Sequence, residues 1–188
     1  MTATILAVDP ALRSSGWAVV GAGRRGVTQL LAAGTVRVPA SVQGLDADRE
    51  LIHRVVAMLA HGPLQGTRIV RAVLEHAQQP RWNERTTSRS RDVLGFARGV
   101  WAGALAAFGA EVNLLAARRW QDALGIGCLP RAERLRSIPI LARRLFHSTE
   151  GLHLDAATAA LIGHVWLSGE RVGRLISGTI RAETPRRG

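Results

Sequence analysis

Three apolar runs of strand length precede any helical periodicity in this chain, and that order restricts the fold more than any other feature. Residues 4–8 are apolar and end at Asp9, the pattern of a buried strand. Residues 10–16 read as a turn, residues 17–20 resume an apolar strand, and residues 30–38 give a third. Gly21, Gly23 and Gly26 punctuate the second connection, so the three runs are expected to pair as an antiparallel meander.

Helical spacing begins at residues 46–60, where Leu45, Leu51, Ile52, Val55, Val56 and Leu59 recur, and Pro63 and Gly66 end the segment. Residues 69–74 form another strand that runs into Glu75, and residues 78–91 are polar. A long helix is expected over 93–108, closed by Gly109. Its Gly95, Gly99 and Gly103 repeat every four residues, a spacing that lets another backbone approach, either the chain's own core or a dimer partner. Residues 112–116 read as a last strand, 120–124 as a short helix, 131–146 as a helix kinked or restarted at Pro139, and 156–167 as a final apolar helix. The resulting order is three strands, helix, strand, helix, strand, helices. It predicts an α/β layer with a five-stranded mixed sheet, three strands in a meander and two parallel, flanked by helices. A length of 188 residues suits one core. We assign residues 1–170 to a single domain and residues 171–188 to a polar tail, frayed from residue 181 onward.

Charge narrows the function. There are 25 basic against 14 acidic residues, a formal net charge of +11, and every basic side chain is arginine. Such an excess opposes compaction unless a polyanion offsets it, and nucleic acid is the natural partner; a merely basic protein is the plainer alternative. Cys128 is the sole cysteine, which excludes an internal disulfide and a cysteine-built zinc site and fits a reducing cytoplasm. No stretch approaches the ~20 apolar residues that span a bilayer. Asp9 and Arg13 interrupt the only apolar opening, so no signal peptide is expected.

Three carboxylates stand out by position: Asp9 ends the first strand, Glu75 the fourth, and Asp155 starts the last helix. If strands one and four are parallel neighbours, Asp9 and Glu75 meet at one edge, and a helix packed there adds Asp155. Crowded carboxylates repel one another and a divalent cation relieves the repulsion. Mg²⁺ prefers such oxygen ligands, and two ions roughly 4 Å apart serve phosphodiester hydrolysis. Each residue also has a plainer reading, Asp9 as a turn former before Pro10, Glu75 as a strand end, and Asp155 as a helix-capping acid.

Five segments, in order, resemble the RuvC family of Holliday junction resolvases. Residues 5–20 (ILAVDPALRSSGWAVV) look like its opening motif, a strand ending in Asp-Pro, an arginine and a glycine that starts the second strand. Residues 73–76 (VLEH) resemble the segment with its catalytic glutamate, 94–100 (LGFARGV) the start of its central helix, 116–127 (AARRWQDALGIG) the following strand-to-helix stretch, and 155–163 (DAATAALIG) its last motif. The stretch 120–125 looks closest to phage-encoded members. The resemblance implies an RNase H-like sheet, a homodimer and paired nicks in a four-way DNA junction. It also implies catalytic and metal roles for Asp9, Glu75 and Asp155, with Mg²⁺ or Mn²⁺, two per site, as cofactor. No small-molecule cofactor or membrane partner is implied, and the setting is a bacterial or phage-infected host cytoplasm.

The chain departs from that pattern at three places. The family's fourth metal residue falls one helical turn after Asp155, at Thr158, which is not acidic; His153 is the nearest substitute, or an exposed loop histidine. Ala11 replaces the usual glycine after Asp-Pro, which restricts the turn to negative φ. His76, Ala77 and Gln78 follow Glu75 where members often carry an aromatic wedge; Trp82 takes that role or is a packing residue. Arg134 falls where the family has a basic residue near the scissile phosphate, a role arginine can fill bidentately. Arg13, Arg81, Arg85, Arg89, Arg91, Arg118, Arg119 and Arg131 are expected to lie along DNA. Two other functions compete: a catalytically weakened relative that binds branched DNA, suggested by Thr158, and an actin-like kinase or ATPase, for which the chain is too short.

Overall fold

The structure, a computed structural model, describes residues 4–23, 27–62, 64, 69–76, 88–146 and 151–183, with side chains from 92 and up to 169 in the last two segments. The elements are β1 (Thr4–Asp9), β2 (Ser14–Ala22), β3 (Thr28–Arg37), α1 (Gly44–His61), β4 (Arg71–His76), α2 (Ser88–Ala107), β5 (Glu111–Ala116), α3 (Ala117–Ala123), α4 (Arg131–Leu145) and α5 (Leu154–Glu183). The five strands form one sheet in the order β3-β2-β1-β4-β5. β1 pairs antiparallel with β2, and β2 with β3. β4 runs parallel to both β1 and β5. The expected mixed sheet is therefore the one observed.

β1 is apolar without alternation because both faces of the sheet are covered. Leu6 and Val8 face one core with Trp17, Val19, Leu51, Val55 and Trp101, beneath α1 and α2. Ile5 and Ala7 face the other with Ala18, Val20, Val73, Trp120, Ile138 and Leu161, beneath α3, α4 and α5. α5 lies directly on the strands because two glycines leave no side chain between them. A Cβ on Gly163 would fall 2.7 Å from Val20 Cγ2, and one on Gly16 would fall 1.9 Å from the Asp155 carbonyl oxygen.

β2 begins at Ser14, inside the expected turn 10–16, and α2 and α3 begin at Ser88 and Ala117, ahead of the expected 93 and 120. Three further elements differ from the sequence expectation. α4 runs unbroken through Pro139; the carbonyl deprived of its amide partner belongs to Leu135, an exposed residue that water can serve. α5 is longer at both ends than residues 156–167, since no proline interrupts it before Pro185. Ile52 and Val56 are helical as expected but lie outward, 45% and 41% exposed, while Ala47, Leu51, Val55, Met58 and Leu59 are buried. Among the described residues no helix is long and apolar enough to cross a membrane.

Candidate active site

The parallel register of β1 and β4 builds the site. Leu6 pairs with Ala72, Ala7 with Val73 and Val8 with Leu74, so the next step along both strands sets Asp9 beside Glu75 at their C-terminal ends. Asp155 arrives from the first turn of α5, whose seat on β2 is set by the close approach at Gly16. Arg134 comes from α4 and Trp120 from α3.

The carboxylates interact as a set. Burial first, then repulsion from Glu75, a hydrogen bond shared with Glu75, and repulsion from Asp155 push the Asp9 carboxyl well above its usual range. Glu75 is also raised by burial, against the opposing pull of its hydrogen bond with Asp9, the Trp120 indole and the Arg134 guanidinium. Asp9 is thus the proton holder of the pair, donating to Glu75. Both residues keep a partly exposed edge, so solvent and substrate can reach them. Trp120 Nε1 is buried and meets no acceptor at normal hydrogen-bond geometry, so its effect on Glu75 is that of a nearby dipole.

Asp155 is held through one oxygen. The Ser14 hydroxyl donates to Asp155 Oδ2 at 2.5 Å, and His153 Nδ1 lies 3.2 Å from the same oxygen. The Asp155 backbone N–H also points at His153 Nδ1, at 3.4 Å. Arg134 Nη1 donates to Gln121 Oε1 at 3.1 Å, which braces the guanidinium across α3 and α4. His76, next after Glu75, accepts from Arg98 Nη1 on α2; a guanidinium only donates, so the His76 proton sits on Nε2.

The structure brings Asp9, Glu75, Asp155, Arg134 and His153 to one neighbourhood. Thr158 is 6% exposed, and its hydroxyl donates to the Leu154 carbonyl at 3.0 Å within its own helix. Arg13 is exposed, with Nη1 on the carbonyls of Pro39 and Val42 at 3.0 and 2.6 Å. Arg118 bonds Asp122 Oδ2 through Nε at 2.8 Å and the Gly127 carbonyl through Nη1 at 3.0 Å. Arg119 and Arg131 are exposed on α3 and α4. Arg81, Trp82 and Arg85 lie outside the described residues, as do the side chains of Arg89 and Arg91. Ser14, Trp120 and Gln121 were given no role by the sequence. Their contacts join elements distant in the chain, and no local spacing marks them.

The donor set suits a hard divalent cation at Asp9 and Glu75. The two are oxygen ligands pressed together with a charge excess that only a proton or a cation relieves, and Asp155 adds to the same field. Among the described residues, no three His, Cys, Asp or Glu side chains close on a single point as they stand. Asp9 and Glu75 would hold the ion and Asp155 would complete its shell.

Solved structures of similar fold include Holliday junction resolvases. The chain resembles Thermus thermophilus RuvC in complex with a Holliday junction substrate, at TM-score 0.69 and 16% identity over 91% of this chain and 97% of that one. It also resembles the yeast mitochondrial Holliday junction resolvase Ydc2, at TM-score 0.53 and 11% identity over 87% and 78%. The fowlpox virus resolvase with its Holliday junction DNA matches at TM-score 0.52 and 12% identity over 89% and 99%. No protein-family model and no curated protein sequence matches the chain. At these identities the likeness establishes the fold, the RNase H-like fold of RuvC.

Proposed function

We propose that this protein is a structure-selective DNA endonuclease that resolves Holliday junctions or related branched DNA by paired nicks, in the cytoplasm of a bacterium or phage-infected host. The observation that carries the proposal is the Asp9–Glu75 pair at the parallel β1–β4 edge, within the field of Asp155 and beside Arg134. A fold shared with proteins whose structures hold Holliday junctions supports the choice of substrate.

Mg²⁺ or Mn²⁺, two ions in the full arrangement, would supply charge stabilisation for phosphodiester hydrolysis at these carboxylates. The chain's own residues do the rest. Asp9 and Glu75 gather positive charge at the strand ends, and Asp155 closes the third side. Arg134, steadied by Gln121, offers a planar cation to the phosphate. Arg119 and Arg131, both exposed, contact the DNA backbone, joined by the arginines of residues 81–91. Two such sites act together in a homodimer, whose two-fold symmetry matches a symmetric junction. α2 supplies the dimer face: a Cβ added at Gly95, Gly99 or Gly103 would meet nothing within 4 Å, whereas Ala97, Trp101 and Leu105 of the same helix are buried. The glycines therefore face away from the chain's own core. Phe96, Gly99, Val100 and Gly103 line an apolar cleft against Ile52 and Val56 of α1.

A second reading, a relative that binds branched DNA and cuts it weakly, is favoured by Thr158, whose hydroxyl is turned to Leu154. The test is incubation of four-way junction, flap and duplex DNA with Mg²⁺ and with Mn²⁺, for the wild type and Asp9→Asn. Paired nicks in the junction are expected, with the variant lower by about 10²-fold or more, the loss typical of removing one charge-stabilising group. Tight junction binding without nicking in either metal establishes the second reading. Nicking by Asp9→Asn at the wild-type rate removes the site assignment.

A further inference from the structure

The second carboxylate that the last helix lacks at Thr158 leaves Asp155 as the sole acid on that turn of α5. A lone carboxylate on a helix rotates about two bonds, and its value as a ligand depends on what holds it. Here the restraint comes from across the fold. Ser14 opens β2, 141 positions before Asp155, and its hydroxyl donates to Oδ2 at 2.5 Å. The backbones beneath are locked together as well, since Gly16, two residues on, has the Asp155 carbonyl where its Cβ would stand. Ser14 itself is half-buried, so water competes poorly for its proton.

We propose that Ser14 is the positioning residue for Asp155, fixing Oδ2 so that the other oxygen, Oδ1, is presented to a cation held by Asp9 and Glu75. The assignment rests on the function proposed above. His153 Nδ1 lies 3.2 Å from the same oxygen, in the loop before α5, so Oδ2 is the crowded, anchored oxygen and Oδ1 the one left for a cation. On this account the chain makes up for the missing acid at 158 by restricting the acid it keeps, through a hydroxyl contributed by the first residue of β2. A serine here has no such partner unless α5 is seated on β2, which makes the contact a product of the fold.

The test measures metal affinity without DNA. Mn²⁺ is titrated calorimetrically into the wild type, Ser14→Ala, Ser14→Thr and Asp9→Asn, with melting temperatures recorded in chelator. Ser14→Ala is expected to lose about tenfold or more in Mn²⁺ affinity, as when a group that orients a ligand is removed. Its metal-free melting temperature should stay close to wild type, and Ser14→Thr, which keeps the hydroxyl, should recover most of the affinity. Nicking by Ser14→Ala should need proportionally more Mn²⁺ than nicking by the wild type. If Ser14→Ala binds Mn²⁺ as the wild type does while Asp9→Asn does not, the positioning role is refuted and the metal site stands. If the wild type binds no Mn²⁺, both fail. If Ser14→Ala and Ser14→Thr both lose metal-free stability and share the same affinity, the role is structural and the proposal is overturned.

Discussion

Asp9 combines two demands that conflict at neutral pH without a cation, burial beside Glu75 and a negative charge. Its carboxyl is raised in the folded state, whereas in the unfolded chain it ionises near pH ~4. An acid shifted this way supports the fold fully below its unfolded value, and that support is lost as pH rises through the folded value. Asp9→Asn removes the titration. In chelator, the melting temperature of Asp9→Asn relative to wild type should therefore climb between pH 5 and pH 8, with the variant the more stable at pH 8. Excess Mg²⁺ at pH 8 should raise the wild type and leave the variant unmoved. A pH-independent difference between the two would remove Asp9 from the strained pair. Thr158 presents the opposite case, a buried hydroxyl satisfied within its helix. Thr158→Asp places a carboxylate one turn from Asp155, where it lacks that satisfaction. The variant should melt lower in chelator, gain more than wild type from Mg²⁺, and reach half-maximal nicking at lower Mg²⁺. An unchanged Mg²⁺ requirement would place residue 158 outside the site.

At the scale of elements, the site depends on how α5 rests on β2. The helix touches the sheet at two glycines, Gly16 at its first turn and Gly163 further along, where Val20 and Ala7 stand against the backbone. A methyl at Gly16 would collide with backbone rather than with a flexible side chain, so the helix start must lift. Overpacking of this kind costs about 1–3 kcal/mol, which for a domain of this size lowers the melting temperature by roughly 2–4 °C per kcal/mol. Gly16→Ala should show that loss, and because Asp155 and its bond to Ser14 move with the helix start, nicking should fall further than stability predicts. Fluorescence melts and a single-turnover assay on the same preparation separate the two effects. Activity falling only in step with the unfolded fraction would show that the helix start does not control the site.

The whole molecule has an apolar cleft between α1 and α2 and a net charge of +11. Gly99 on α2 has open space where a side chain would stand, so Gly99→Glu should leave the folded protomer intact, and loss of a mid-helix glycine favours the helix by about 0.5–1 kcal/mol. A charge in an apolar contact between subunits is costly, so on the proposed interface the wild type should sediment as a dimer and the variant as a monomer that cuts junction strands one at a time. A dimeric Gly99→Glu would move the interface elsewhere. The charge itself predicts steep salt dependence of junction binding, with log affinity falling against log salt by about 0.9 for each phosphate neutralised. A slope near zero in a salt titration would mean that the arginine-rich surface is not the DNA face.

The strand order, the mixed sheet and the burial of β1 were legible in the sequence because they follow from periodicity and connection, which are local. Residues 4–8 show no alternation, which marks a buried strand; that its two faces meet separate cores came from the structure. Asp9, Glu75 and Asp155 stood out for a related reason, each marking the end of an apolar segment or the start of one. What each touches was not legible. The choice of Ser14 as the partner of Asp155, the dipole of Trp120 at Glu75 and the bracing of Arg134 by Gln121 join residues from different elements. A side-chain contact depends on rotation and seating of a helix to within an ångström or so, and nothing in neighbouring residues encodes that. Helix α2 marks the boundary between the two kinds of knowledge. Its four-residue glycine repeat was plain in the sequence and pointed to close packing on one face. Which face turned outward was decided only when Ala97, Trp101 and Leu105 took the core, since a helix buries its larger apolar stripe and leaves the flatter one for whatever comes next.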